Sequence, residues 1–247
     1  MKIKLILYIF LCLLGFNLNS YAAEVFFDSD NLKIEEEGNM IFATKGFAKI
    51  PSQNLEIKGD KFIYNKLISE LTIIDNVKII DKEKNVNIES EKIIYNQIDN
   101  SIFSQGKTYI YVEDKYKVNS SNVLYDRNFM KISSNKHATV NDDDLNEFRF
   151  QEGFLFNIVK EIISSKKTNI IDFNNNYYFF ENTKVNFKRN EIVGKEVKID
   201  FIDSFFGNNK NDPILKGKST ISNDKKTKIY KAVFSTCSLE NKNCRGW

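Results

Sequence analysis

The chain of 247 residues is 42% hydrophobic and carries 36 basic and 33 acidic side chains, for a formal net charge of +3. A chain so nearly balanced in charge is a poor candidate for binding nucleic acid, which needs a concentrated positive surface. The single histidine also excludes the usual His-rich zinc sites.

The first 23 residues have the pattern of a secretory signal peptide. Two lysines precede an apolar run over residues 5–16, and Ser20 and Ala22 supply the small residues that signal peptidase reads. The apolar run is too short to cross a hydrocarbon core of about 30 Å as a helix, so we do not expect a retained anchor. We therefore predict an exported chain that is cleaved after Ala22 or Ala23.

A repeat of about 30 residues runs through the rest of the chain. Each copy is a ten-residue phrase with apolar residues at its first and third positions, another at its eighth position, and an anchor at its tenth. The anchors follow one another at intervals of 30 or 31 residues, and they are Ile34, Tyr64, Tyr95, Tyr125, Phe156 and Phe187. Only the fifth copy is degenerate, since Glu147 and Arg149 hold its apolar positions. Units this small cannot bury a core alone, so the repeat predicts stacked supersecondary elements.

Alternation with a period of two predicts two strands in each copy. Leu71 and Ile73 alternate with polar residues, as do Val77 and Ile79, and clusters of Asn, Asp and Lys separate such runs. The predicted fold class is therefore all-β. Residues 154–165 also fit a helical stripe, but a strand is favoured there because the run falls on the repeat and is rich in β-branched residues.

No group of residues indicates catalysis. We expect His137 to be a solvated strand residue. The acidic run at residues 142–144 lacks the ligand spacing and the glycine of a calcium loop, so it is expected in a solvated turn. The lysines of residues 225–228 are expected at the exposed tip of a hairpin, with a weak contact to anionic phosphate as the alternative. We therefore expect no enzyme activity, no metal site and no cofactor.

The cysteines that remain after export are Cys237 and Cys244. Export places them in an oxidising compartment, where thiols tend to pair. A local disulfide would close a short loop, which is sterically possible, and pairing with cysteines of another chain is equally open.

Two features resemble the periplasmic N-terminal region of the LptD family of lipopolysaccharide-assembly proteins, also called organic solvent tolerance proteins or OstA. The first is the repeat with its Tyr-Asn and Tyr-Asp anchors at residues 64–65, 95–96 and 125–126. The second is the ending Lys231-Ala-Val-Phe-Ser-Thr-Cys237, followed by Cys244-Arg-Gly-Trp247. The resemblance covers residues 25–247. Family members have prolines before the tryptophan, where this chain has Arg245 and Gly246, and they continue into a large membrane β-barrel.

The resemblance implies a repetitive open β-jellyroll of the OstA/LptA-like or β-taco type over residues 24–228. Residues 229–247 would be a Cys-containing edge segment that leads into a C-terminal barrel. The jellyroll would lie at the periplasmic face of the outer membrane and carry lipopolysaccharide acyl chains along an apolar groove. Its implied partners are lipopolysaccharide, an LptA-like periplasmic bridge that joins by edge-strand pairing, and an outer-membrane barrel with its plug lipoprotein. The groove candidates are Phe27, Leu32, Ile57, Phe62, Ile88, Ile93, Val118, Val123, Phe180 and Val185.

Three other functions fit the same pattern less well. An exported β-solenoid for structure or adhesion would have a filled core and no groove, and a soluble LptA-like bridge protein would share the repeat. A polysaccharide-cleaving enzyme on a solenoid would need carboxylates at matching positions of neighbouring units. The fourth position of the phrase does not supply them, because it holds Asp28, Lys58, Glu89, Asn119 and Glu181.

Overall fold

The computed structural model describes residues 23–142, 146–171, 175–202, 213–223 and 225–236. It confirms the all-β prediction, because every long element in these residues is a strand. The predicted signal peptide, except Ala23, and both Cys237 and Cys244 lie outside the described residues.

The strands are β1 (Phe26–Glu35), β2 (Met40–Ile50), β3 (Leu55–Asn65), β4 (Glu70–Asp81), β5 (Val86–Asn96), β6 (Ser101–Val112), β7 (Tyr116–Ser121), β8 (Leu124–Asp126), β9 (Lys131–Ser134), β10 (Ala138–Asn141), β11 (Glu147–Phe150), β12 (Phe154–Asn157), β13 (Ile162–Ile171), β14 (Tyr177–Asn186), β15 (Glu191–Asp200), β16 (Ile214–Asn223), β17 (Lys226–Tyr230) and β18 (Val233–Ser235).

The long strands form an antiparallel meander in which each strand pairs with the next one along the chain. Short turns join them, and asparagine supplies the left-handed backbone that several of these turns need. Asn54, Asn85 and Asn100 have φ of 53°, 52° and 51°. Asparagine tolerates this conformation better than other non-glycine residues, so a chain with ten glycines can still make many tight turns.

The pairing of the long strands is interrupted near their middle, with shifts of register between β3 and β4, β4 and β5, and β5 and β6. The pairing of β3 with β4 skips from Lys58 to Lys61, and that of β4 with β5 skips from Ile74 to Val77. Asn76 has a φ of 51° at one such point. Bulges bend a strand and increase its twist. Because the interruptions lie side by side, they form a crease along which the whole sheet folds in two.

The crease divides the sheet into two halves whose inner faces pack against each other. Half-sheet A includes residues 55–58 of β3 and 78–81 of β4, and half-sheet B includes residues 61–65 of β3 and 70–74 of β4. The repeated phrase spans the crease. Its third position, such as Ile57, faces inward from half-sheet A, and its eighth, such as Phe62, faces inward from half-sheet B. The 30-residue period is therefore one pair of bent strands.

The middle of the meander departs from a uniform stack. Three successive rungs are each broken into two short strands, which are β7 with β8, β9 with β10, and β11 with β12. As a result the pairings close into a circuit of eight strands, in the order β6, β7, β10, β11, β13, β12, β9 and β8. Strands β1–β5 and β14–β18 continue outward from this circuit. These eight strands therefore do not form the open β-jellyroll that the resemblance implies, because the splitting of the three rungs lets the pairings close on themselves. The chain segments approach closely at the crease, since a Cβ on Gly153 would lie 2.5 Å from the Ser134 carbonyl oxygen.

The degenerate fifth copy of the repeat is a strand with its faces exchanged. In β11 Phe148 and Phe150 are buried, whereas Glu147 and Arg149 point outward. A shift of one residue moves every side chain of a strand to the other face. The preference for strand over helix at residues 154–165 is also confirmed, because β12 and the beginning of β13 occupy them.

One hydrophobic core lies between the half-sheets and includes inward side chains from β2 to β15. Tyr95, Tyr125 and Phe62 are among its largest fully buried members. Over the described residues, no helix is long and apolar enough to cross a membrane.

Candidate functional site

The ten predicted groove residues do not line one continuous opening. Six of them, Ile57, Phe62, Ile88, Ile93, Val118 and Val123, are at most 2% exposed in the packed interior. Phe27 is partly buried, with its ring centroid 6.0 Å from that of Phe62, and Leu32 lies on the surface with 52% exposure. Phe180 and Val185 line a cavity. In the first two thirds of the described chain, the interior is therefore filled with protein side chains.

An ion pair joins the free ends of the two half-sheets, opposite the crease. Arg127 follows β8 in half-sheet B, and its Nε donates to Oδ2 of Asp81, at the end of β4 in half-sheet A, at 2.7 Å. Its Nη2 donates to the Gln53 carbonyl oxygen at 3.0 Å, and its Nη1 to Asn100 Oδ1 at 2.6 Å. We call Asp81, Arg127, Gln53 and Asn100 the clasp. It links the two half-sheets directly where the backbone does not.

Three tyrosines close the same side of the interior. The Tyr125 hydroxyl donates to Asp81 Oδ2 at 3.2 Å, the Tyr95 hydroxyl donates to Gln53, and the Tyr64 hydroxyl donates to Gln97 Oε1 at 3.0 Å. Burial raises the pKa of all three phenols, and the charge of Asp81 raises the pKa of Tyr125 further. These phenols therefore stay protonated and keep donating hydrogen bonds in the folded protein.

An aromatic cluster ends the packed part of the interior. Tyr116 and Phe148 come from half-sheet A, Phe156 comes from half-sheet B, and Phe187 lies in the turn between β14 and β15. The ring centroid of Phe187 lies 4.7, 5.3 and 6.1 Å from those of Tyr116, Phe148 and Phe156. The Tyr116 hydroxyl also donates to Glu161 Oε2 at 2.7 Å, which ties the cluster to the end of half-sheet B. We call these four rings the aromatic plug.

A cavity of about 480 Å³ lies on the other side of the aromatic plug, towards the C-terminal strands. Two members of the plug, Phe148 and Phe187, form part of its wall. The remaining apolar wall comes from both half-sheets and consists of Ile170, Phe180, Val185, Ile192, Val197 and Ile199. The volume is within the range of about 300–1,000 Å³ that is usual for ligand pockets. This cavity is the candidate functional site.

Five polar residues of the lining lie at the strand ends farthest from the crease, which we call the mouth. Asp142 and Asn146 come from half-sheet A, whereas Asn186, Glu191 and Asn223 come from half-sheet B. Asn146 donates to both carboxylate oxygens of Asp142, from its backbone nitrogen at 2.9 Å and from Nδ2 at 3.0 Å. The cavity therefore has apolar walls and a hydrogen-bonding mouth, which suits a molecule with an apolar chain and a polar end.

The other residues considered in the sequence have surface positions. His137 is exposed just before β10, and its carbonyl oxygen accepts from Ser120 Oγ at 2.8 Å. Lys225, Lys226 and Lys228 are exposed on the β16–β17 hairpin, as expected. Of the acidic run expected in a solvated turn, Asp142 lines the mouth of the cavity, a position that the sequence did not indicate, whereas residues 143–144 lie outside the described residues. Within the described ranges, no group of three or more His, Cys, Asp or Glu side chains could hold a metal ion.

The sequence did not indicate the clasp or the position of the cavity. Arg127 gives no sign of a buried ion pair, because an arginine in a turn is normally solvated. One signal was available, since Arg127 stands at a turn that follows an anchor tyrosine, where Lys66 and Gln97 stand in the earlier copies. No comparable signal marked the cavity. Neither the protein-family models nor the curated protein sequences compared with the chain give a match.

Proposed function

We propose that this chain is the periplasmic jellyroll of a lipopolysaccharide-assembly protein of the LptD kind, and that it holds lipid acyl chains between its half-sheets. The observation that carries the proposal is the cavity of about 480 Å³ between β11 and β17, whose apolar walls come from both half-sheets. The second support is the resemblance of the repeat and of the ending at residues 231–247 to that family.

The chemistry of the cavity suits an acyl chain. Side chains such as Phe180, Val185 and Ile199 offer only apolar contact, and each methylene buried against them contributes about 0.8 kcal/mol. A polar head can stay at the mouth in contact with water. Holding and passing on a lipid needs no catalytic group, so the proposal requires no enzyme activity.

The proposal places the lipid first at the C-terminal end of the fold. There the interior has space, whereas the clasp and the aromatic plug close it over the preceding strands. A continuous open jellyroll would require the clasp to separate and the sheet to open about its crease. In this proposal the described structure is the closed form, and an open form carries lipid along the earlier groove candidates.

A structural or adhesive β-solenoid is the second candidate, because the packed interior over β2–β12 is what a filled-core protein would have. The cavity favours lipid binding over a structural or adhesive function, since a solenoid that binds no ligand would not need a cavity in its core. A soluble LptA-like bridge protein would share the cavity, but it would lack the membrane barrel of the LptD family.

Site-specific photo-crosslinking tests the proposal. Ile192 and Val193 are neighbours in β15, and Ile192 lines the cavity whereas Val193 is exposed on the outer face. A photo-reactive amino acid at Ile192 should capture purified lipopolysaccharide, and the same group at Val193 should not. Equal capture at both positions would indicate adsorption to the surface, and no capture at Ile192 would favour the filled-core solenoid.

The proposal includes export and a partner. Cleavage after Ala22 or Ala23 would remove the signal peptide on export, so N-terminal sequencing of the periplasmic product should begin at Ala23 or Glu24. An LptA-like jellyroll would join the chain at an outer strand, and residues 229–247 would lead into the family's outer-membrane barrel, whose plug lipoprotein would be a separate partner.

A further inference from the structure

The turns at the free end of half-sheet B form a regular row. Each turn is joined to the preceding one by a hydrogen bond from its first backbone nitrogen to the last carbonyl oxygen of that turn. In chain order these bonds are Lys66 N to Asn39 O at 2.9 Å, Gln97 N to Ser69 O at 2.9 Å, Arg127 N to Asn100 O at 3.2 Å, Ile158 N to Met130 O at 3.0 Å and Phe187 N to Glu161 O at 2.9 Å. Each turn joins two strands, so neighbouring turns lie about 10 Å apart. The backbone therefore fixes the order and spacing of the row.

Four consecutive turns of this row present an exposed apolar side chain. We call them the tip row, and they are Leu67, Ile98, Phe129 and Val159, which are 70%, 67%, 66% and 69% exposed. Each of these turns is capped by a side-chain oxygen that accepts from a backbone nitrogen of the turn at 2.9–3.0 Å. The capping residues are Asn65, Asn96, Asp126 and Asn157. The caps fix the turn conformation, so the four apolar side chains are held at equivalent places.

The turns of half-sheet A provide an internal comparison. Among the described residues they span 51–54, 82–85 and 113–115, and Pro51 is their only apolar side chain. Both sets of turns join strands of the same meander, so turn formation does not require an apolar tip. Single exposed apolar side chains are ordinary at a protein surface. Their repetition along one edge, with polar turns along the described part of the other, indicates a partner at the edge of half-sheet B.

The spacing of the tip row favours a lipid surface over a protein surface. A stable protein interface buries a closely packed patch of about 800 Å² on each partner. Four side chains about 10 Å apart, with polar caps between them, do not form such a patch. The interfacial layer of a bilayer is fluid, so it receives each apolar side chain separately. We propose that the tip row inserts into the surface of a phospholipid bilayer, and that half-sheet B contacts the membrane through its turns.

The charges of the turns favour anionic lipid. The exposed cations of the turns are Lys66, Lys160, Lys188 and Arg189. On the same turns Asp99 is exposed, whereas Glu161 accepts a hydrogen bond from the Tyr116 hydroxyl. The exposed Glu36 and Glu37 lie on the first turn, at the end of the row farthest from the cavity. The charged groups at the strand ends behind the turns are Glu70, Asp126, Lys131 and Glu191. Because the cations are mostly outermost and the carboxyls mostly behind them, anionic phospholipid should strengthen binding.

The row of turns also ends beside the mouth of the cavity. Asn186 and Glu191, which belong to the mouth, flank the turn of residues 187–190, and this turn follows that of Val159 in the row. A bilayer that receives the tip row therefore lies next to the opening of the cavity. The inference goes beyond the proposed function and does not depend on it, because the tip row is the same whatever the cavity holds.

Binding to vesicles measures the contact. The chain without its predicted signal peptide is mixed with vesicles of phosphatidylcholine and phosphatidylglycerol, and the bound fraction is measured by flotation. Phe129→Ser should weaken binding about tenfold, because the lipid then receives no aromatic ring at that turn. The control is Phe47→Ser, which removes a phenylalanine that is 44% exposed on the outer face of half-sheet A and should leave binding unchanged. Equal weakening in both variants, or no vesicle binding by the unsubstituted chain, overturns the inference.

Tryptophan fluorescence tests the tip row as a whole. Trp247 is the only tryptophan of the chain, so Trp247→Phe provides a background without one. A single tryptophan then replaces each member of the tip row in turn, and its emission is recorded with and without vesicles. All four should shift to shorter wavelength, whereas a tryptophan in place of Phe47 should not. A shift at Phe129 alone would show that the row is not the contact.

Two further outcomes separate this inference from its rivals. If the chain does not bind vesicles and Phe129→Ser abolishes self-association in sedimentation, the tip row is an interface between copies of the chain and the inference is overturned. If the vesicles bind as expected but a photo-reactive group at Ile192 captures no lipopolysaccharide, the inference stands and the proposed function fails. Capture at Ile192 without vesicle binding gives the reverse result.

Discussion

Nε of Arg127 lies 2.7 Å from Oδ2 of Asp81, and the two side chains are 2% and 0% exposed. This ion pair closes the interior at the edge of the half-sheets that lies opposite the crease. Burial opposes the charge of Arg127, but the hydrogen bond and the charge of Asp81 more than offset it, so the pKa of Arg127 is raised. The arginine therefore stays charged in a nearly dry site, and the consequences can be tested.

Breaking the clasp from one side should be strongly destabilising. Asp81→Asn leaves the guanidinium of Arg127 buried without its counter-charge, which typically costs about 3–5 kcal/mol of unfolding free energy. Urea unfolding followed by circular dichroism measures the loss. The control is Glu89→Gln, which removes the exposed ion pair with Lys78 and should cost less than about 1 kcal/mol. The double variant Asp81→Leu, Arg127→Met should be more stable than Asp81→Asn, and a similar loss in all three variants would contradict the account.

Opening the clasp should also expose interior positions to lipid. Ile93 is fully buried in β5, so a photo-reactive group there should not capture lipopolysaccharide in the otherwise native chain. With Arg127→Met in addition, the free ends of the half-sheets lose their ionic link and capture at Ile93 should increase. The outward position Lys78 should remain unlabelled in both backgrounds. Capture at Ile93 that does not depend on Arg127 would show that the clasp does not control access.

The buried phenols should make the fold sensitive to alkali. The folded-state pKa values of Tyr64, Tyr95 and Tyr125 are raised above the usual value of about 10. Their contribution to the free energy of unfolding is fully present below about pH 10. It is lost as the pH rises towards the folded-state pKa values, because the unfolded chain then releases protons that the folded chain keeps. The free energy of unfolding should fall by up to about 1.4 kcal/mol per pH unit for each phenol.

Urea midpoints at about pH 9 and pH 11 measure this loss. In Tyr125→Phe the stability should fall less steeply with pH, since one of the three buried phenols has been removed. A midpoint that stays constant, or tyrosinate absorbance from these residues before the protein unfolds, would contradict the prediction.

Truncating the aromatic plug should enlarge the cavity and lower stability. Phe187 lines the cavity and contacts three aromatic rings, so Phe187→Ala should cost about 3–5 kcal/mol. The enlarged cavity should bind longer-chain amphiphiles more tightly than the native one, measured by displacement of an uncharged apolar fluorophore such as phenylnaphthylamine. Phe129→Ala, at an exposed turn, should change stability by less than about 0.5 kcal/mol. A native-like Phe187→Ala with unchanged binding would show that the plug does not bound the site.

The last strands should promote association. Among the described strands, β17 and β18 pair only with β16, and their exposed side chains include Tyr230 and Val233. Such edges recruit further strands, and lysines placed on them prevent this. Tyr230→Lys should therefore reduce self-association in sedimentation experiments. Ile221→Lys, on the outer face of β16, should not, and equal effects of both variants would point to general surface hydrophobicity.

The sequence predicted the strands well, because strand formation here depends on local alternation. Ile57 and Phe62 stand at fixed positions of a repeated phrase, and both are buried, on opposite half-sheets. The first anchor is an exception, since Ile34 is exposed in β1, which pairs on one side only. The pattern identifies inward positions and cannot show that the sheet ends there.

The site was less predictable, because it depends on distances between residues that are far apart in the chain. Gln53 and Arg127 are separated by 74 residues, and nothing near either one indicates the other. The apolar positions of the phrase look alike in every copy, yet Phe62 packs in a filled core whereas Phe180 borders a cavity. Whether an inward side chain meets another side chain or empty space is decided by the sizes of residues on the opposite half-sheet.

The aromatic plug makes the cavity a dead end on its N-terminal side. A chain that inserts past Val185 meets the ring of Phe187 and cannot continue between the earlier strands while the clasp is closed. Under the proposed function, a lipid chain held there would have to leave by the path through which it entered, so its residence time would depend on how firmly its head is held at the strand ends. Transport through such a protein would then be stepwise, because the bound molecule would advance only when the four rings of the aromatic plug separate.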